Sequence, residues 1–126
     1  MRWLAVILTM VAGPAVALDV PSGQGVELQE VLVDPVGSQT FVRFRLVAPA
    51  IARETSDLDY ETVSGDMMHL CQDLALPYIA EFDLTGDVIV ISLADRETEF
   101  GVADPDATQF FEAFRVEEGR CIWEGL

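Results

Sequence analysis

The sequence predicts a single α+β domain: an antiparallel sheet of about five strands, one main helix packed on a face, and a disulfide joining helix to sheet. Three observations carry this expectation. Residues 40–47, TFVRFRLV, alternate side chains with the two-residue period of a half-buried strand. Residues 58–75 place apolar side chains at the 3.6-residue period of a helix. The two cysteines, Cys71 and Cys121, fall one on the helix and one on a predicted strand.

The first element is not part of that domain. Residues 1–17, MRWLAVILTMVAGPAVA, have the layout of an export signal. Arg2 supplies the positive start, Trp3 to Ala12 the apolar run, and Ala15-Val16-Ala17 a small-residue cleavage site. The run is too short for a membrane span, which needs roughly 20 apolar residues. No cysteine stands directly after the cleavage site, so no lipid anchor is expected. The expected product is residues 18–126, one domain, periplasmic or secreted.

Within it, 26–34 reads as a strand, with Pro35 and Gly37 marking a turn. In 40–47, Val42, Phe44 and Leu46 face one way; Phe41, Arg43 and Arg45 face the other. Ser56 and Asp59 have the spacing of a capping-box start for a helix over Leu58–Ala75 that stops before Pro77. Its apolar stripe is Tyr60, Val63, Met67, Leu70, Cys71 and Leu74. Val88 to Leu93 is apolar without alternation, as in a strand covered on both faces. The C-terminal stretch predicts a short helical turn near 105–109, then strands near 110–116 and 120–124 joined through Glu117-Glu118-Gly119.

Composition narrows function. The formal net charge is −15, with no lysine, so phosphate backbones and anionic lipid are repelled, and neither nucleic acid nor a membrane surface is an expected partner. In an oxidising compartment two cysteines predict one disulfide. Closing a loop of about 50 residues between Cys71 and Cys121 is worth roughly 4 kcal/mol in the chain-entropy treatment. A Cys/His dyad is excluded for His69 and Cys71, because residues two apart on a helix leave it about 200° apart.

Asp66, His69 and Asp73, at i−3 and i+4 about the only histidine, are a weak metal-ligand candidate; the structural reading is one solvated helix face. Asp104, Asp106, Thr108 and Glu112 are spaced like calcium ligands but lack the sixth-position glycine and twelfth-position glutamate, so capping is favoured. Arg43 and Arg45, with Arg53 further along, could grip a carboxylate or phosphate, although pairing with acids across the strands is favoured. Phe110, Phe111, Phe114 and Trp123 could line a groove, with core packing the default. Nucleotide-binding, serine-hydrolase and zinc-protease motifs do not occur, so no cofactor and no catalytic residue is expected.

The segments VPSGQGVELQEVL, RFRLVAPAIAR, DMMHLCQDLALP, VIVISLADRE and FGVADPDATQFFEAFRVEEGRCIWEGL resemble a family of small secreted alphaproteobacterial proteins of unknown function. The resemblance implies no catalytic residues. The label acetolactate synthase, carried by some similar sequences, does not suit this chain, which lacks the size and the phosphate-and-metal motif for thiamine diphosphate. The reading that follows is a non-enzymatic binding or interaction module with an unknown protein or small-molecule partner. A cation-binding protein and a small hydrolase using acidic residues are its rivals.

Overall fold

The computed structural model describes residues 6–8, 17–54 and 57–125. The expected export signal lies outside these residues, apart from Ala17 and the backbone of 6–8. Ser56 of the expected capping box also lies outside them.

The described strands form one sheet. Strand β1 (Val6–Leu8) and β2 (Ala17–Leu18) pair antiparallel with β3 (Val26–Val36). A two-residue loop, Gly37-Ser38, returns the chain as β4 (Gln39–Val47), antiparallel to β3. Gly37 takes φ 61°, a conformation open to glycine at little cost. Beyond β4 the order continues through β5 (Val88–Ala94), β6 (Gln109–Glu117) and β7 (Arg120–Glu124). Pro35 therefore lies inside β3, and the turn begins two residues later than the sequence suggests.

The sequence predicts an antiparallel sheet; the observed sheet is mostly so, but β4 and β5 run parallel, Phe41 opposite Val88 and Val47 opposite Ala94. Parallel neighbours cannot be joined by a hairpin, and the helical segment between them is the crossover. It begins at α1 (Tyr60–Leu70), where the Asp59 carboxylate accepts from Thr62 N at 2.8 Å. That bond holds the Asp59 carboxyl below the usual range. The helix does not stop before Pro77. A π-helical turn (Cys71–Ala75) follows, and α2 (Leu76–Glu81) carries Pro77 in its first turn. The π turn shifts the hydrogen-bond register, Leu76 N bonding Cys71 O, and so accommodates a ring that lacks an N–H inside a continuous helical segment.

Val63, Met67, Leu70 and Cys71 pack on Val42, Phe44, Leu46, Ile89, Ile91, Leu93 and Phe114 from the inner sheet face. This is the alternation expected for β4 and the stripe expected for α1, except that Tyr60 is exposed. A smaller apolar group, Phe41, Val88, Val90 and Ala113, lies on the outer face, so β5 is buried along its whole length.

Two details place outer-face side chains. In β3 the pairing slips between Leu28, opposite Leu46, and Glu30, opposite Arg45. The extra residue, Gln29, reverses the inward–outward alternation. Leu28 then packs on the inner core while Glu30 meets Arg45 on the outer face. The second detail is the 95–108 connection, tied at its base by Asp95 N to Thr108 O at 3.0 Å and Thr108 N to Asp95 Oδ1 at 3.0 Å.

The β6–β7 connection is a two-residue loop, Glu118-Gly119, with φ 52° and 73°, and not the three-residue one expected. Both residues being left-handed matches the twist of a tight hairpin.

Candidate functional site

The Cys71–Cys121 disulfide is present, joining the first residue of the π turn to β7 with Cα atoms 6.3 Å apart. Gln72 reinforces it: its Nε2 donates to Gly119 O at 3.1 Å and its Oε1 accepts from Cys121 N at 3.1 Å.

The metal candidate does not assemble. His69 Nε2 lies 3.3 Å from Asp73 Oδ2, but Asp66 is fully buried and turned away from them. Its carboxylate accepts from Ser22 N at 2.9 Å, from Ser22 Oγ, and from Gln24 Nε2 at 2.8 Å. On the helical wheel Asp66 stands as close to the apolar stripe as to His69, and the 22–24 segment decides which side claims it. The solvated-face reading is thus wrong for Asp66. In the 104–112 stretch, Asp104 Oδ1 accepts from Asp106 N at 3.2 Å as a turn residue, whereas Glu112 sits on β6. Among the described residues no group of three or more His, Cys, Asp or Glu is arranged to hold a metal ion.

The two arginines do come together. On the outer face, beneath the 95–108 connection, a cavity of about 270 Å³ is lined by Arg43, Arg45, Ser92, Phe100, Gln109 and Phe111 among others. Their roles divide. Arg45, only 8% exposed, is committed: Nη1 to Glu30, Nη2 to Thr98 O at 3.0 Å and Thr98 Oγ1 at 2.7 Å. Gln29 Nε2 also donates to Thr98 O, at 2.8 Å, so Arg45 and the bulge residue together pin the connection over the sheet.

Arg43 is held differently. Its Nε donates to Asp34 Oδ2 at 2.9 Å, and its guanidinium lies 5.2 Å from the Phe41 ring centre and 5.5 Å from that of Phe100. Neither Nη bonds to another described residue. The cross-strand pairing favoured from sequence is present for both arginines, but only Arg45 is used up by it. The third, Arg53, donates from Nη2 to Ala107 O at 3.1 Å, a loop contact.

The aromatics split as well. Phe114 is core and Phe110 is half-buried against Tyr60, but Phe111 and Trp123 are each 60% exposed. Core packing, the default from sequence, fails for these two. Phe111 projects outward between Arg43's cavity and a second one, of about 330 Å³, lined by Val90, Phe111, Glu112, Ala113, Trp123 and Glu124. Sequence reasoning missed Glu30, Asp34, Thr98 and Phe100, and considered Glu112 only for its calcium-like spacing. Glu112 had a signal: in FFEAF it takes an inward position between Phe110 and Phe114.

Among the described residues no helix is long and apolar enough to cross a membrane. Compared with curated proteins and with solved structures, the chain matches none. A family model described as a family of unknown function, DUF6497, matches residues 5–126, and the chain belongs to that family.

Proposed function

We propose that this protein is an exported, non-enzymatic binding module, and that its outer-face cavity takes a small carboxylate-bearing ligand with an apolar body. Arg43 carries the reading. Its fork is fixed in place through Nε while both Nη groups stay uncommitted, and bidentate recognition of a carboxylate needs that pair of donors. Two rings beside the guanidinium strengthen its hold by excluding water. Ser92 and Gln109 add a hydroxyl and an amide, and Val90 and Phe111 give the apolar wall. The export signal in the sequence and the disulfide favour an oxidising compartment for this work.

The net charge of −15 repels an anion at long range, so recognition here is a short-range affair. That gives the test a signature. Calorimetric titration with phenylacetate should show one saturable site, weakened at least tenfold in Arg43→Gln and absent for phenylacetamide. Raising salt from about 20 to 150 mM should not weaken binding, because screening also lifts the general repulsion. Equal affinity for the Arg43→Gln variant, or no saturation by the wild type below about 10 mM, overturns the reading.

A further inference from the structure

The cavity beside Arg43 does not end at its apolar wall. Val90 and Phe111, which line it, also line the second cavity. The strand register shows why the two adjoin. Arg43 on β4 stands opposite Val90 on β5, Val90 opposite Ala113 on β6, and Ala113 opposite Glu124 on β7. Paired residues share a face, so these four form one row across the outer side of the sheet. Three strand spacings make that row about 14 Å long.

Side-chain size turns the row into a trough. The outward residues of β6 run Phe111, Ala113, Arg115, a methyl group between two long, exposed side chains. Val90 and Ala113 form the recessed floor, both buried in the small apolar group of the outer face. At the near end stands Arg43, anchored through Nε with its Nη pair uncommitted. At the far end Glu124 is paired with Arg115, so the floor stops at a neutralised charge. The other way out of the Arg43 cavity leads beneath the 95–108 connection, over Ser92 and Gln109. An alkyl chain there would strip water from a hydroxyl and an amide, so the apolar direction is favoured.

We propose that the outer face holds an unbranched monocarboxylate of about eight to ten carbons, its head on Arg43 and its tail along Val90 and Ala113. An extended chain advances about 1.3 Å per carbon, from C–C bonds of about 1.5 Å at a tetrahedral angle, which matches that length to the row. This inference rests on the Arg43 reading and sharpens it, from any apolar body to a linear acyl chain with a free carboxylate.

The test is calorimetric titration with butyrate, octanoate and octanedioate, alongside phenylacetate. Octanoate should bind one site per chain at least tenfold more tightly than butyrate, since each fully buried methylene contributes about fourfold. Octanedioate, of equal length, should lose most of that gain, because its second carboxylate would lie on the apolar floor beside Glu124. Arg43→Gln should weaken octanoate at least tenfold. Ala113→Leu fills the trough, and there the octanoate advantage over butyrate should fall below about threefold. If that variant does not fold, amide shift mapping on the unmodified chain decides: octanoate should add shifts at 113 and 124–125 to those that butyrate produces near Arg43. The proposal is overturned by equal affinity for butyrate and octanoate, by octanedioate binding as tightly as octanoate, or by an Arg43→Gln variant that keeps octanoate. An unchanged octanoate advantage in folded Ala113→Leu, or identical shift patterns for the two acids, also overturns it. Phenylacetate separates this failure from that of the Arg43 reading. Phenylacetate bound without an octanoate gain defeats the trough alone, and neither ligand bound defeats both.

Discussion

Asp66 shows how one side chain can be misplaced by periodicity and still be decisive. Its sequence position borders the apolar stripe of α1, so the wheel allows it to face either way. The structure gives it three donors, from Ser22 and Gln24, and these fix the chain entering β3 against the helix. Replacing Asp66 with Ala would leave those donors unmatched beneath the helix. The expected loss is about 2–4 kcal/mol, the cost of removing several hydrogen bonds to a buried charge. Urea unfolding should show a lower midpoint at an unchanged slope. A loss under about 0.5 kcal/mol, as at an ordinary surface aspartate, would contradict the buried placement. Charge pairs on the outer face follow the same logic at lower stakes. Arg45 and Glu30 meet because a bulge turned Glu30 outward, and no residue-type pattern announces a bulge at Gln29.

At the scale of elements, the 95–108 connection forms the cover of the Arg43 cavity, and its base depends on Asp95. The Arg96 side chain and Thr108 N hold the Asp95 carboxyl below the usual carboxylate range. A group whose folded value is lowered stabilises the fold above its unfolded value, about 3.9, and loses that contribution as pH falls through the folded value. Wild type should therefore melt higher than Asp95→Asn at pH 6, and the gap should narrow steadily below about pH 4. Thermal melts of both proteins from pH 6 to 3 measure it, and a gap independent of pH would refute the role. What could be read of the elements from sequence was their faces. The split of Val42, Phe44 and Leu46 from Phe41, Arg43 and Arg45 is a matter of two-residue period, and the structure keeps it. The parallel pairing of β4 with β5 is a matter of connection, not period, though a helix between two strands was itself a hint of crossover. The passage of the helix through Pro77 depends on a π turn, which leaves no mark in composition. Half the candidate site was legible: Arg43 and Arg45 were seen to share a face. That one is consumed by Glu30 and Thr98 while the other keeps a free fork depends on the loop folded above them.

For the molecule as a whole, the disulfide has more to hold than the helix. The 50-residue span from Cys71 to Cys121 contains α2, β5, the 95–108 connection and β6. It therefore encloses Ser92, Phe100, Gln109 and Phe111 of the Arg43 cavity, whereas Arg43 itself lies outside. The bridge also positions Gln72 to bond the β6–β7 hairpin at both Gly119 and Cys121. Opening it should act in two ways. Global stability should fall by up to about 4 kcal/mol as the unfolded chain regains its freedom, which for a domain of this size is a melting drop on the order of 15 °C. The effect should also be local: hydrogen exchange in the reduced protein, or in a Cys71→Ala/Cys121→Ala variant, should rise first in β7 and the adjoining half of β6, before the β3–β4 pair. Exchange that accelerates uniformly across the sheet would mean that the bridge acts only through the unfolded chain and holds no local structure at the β6–β7 hairpin.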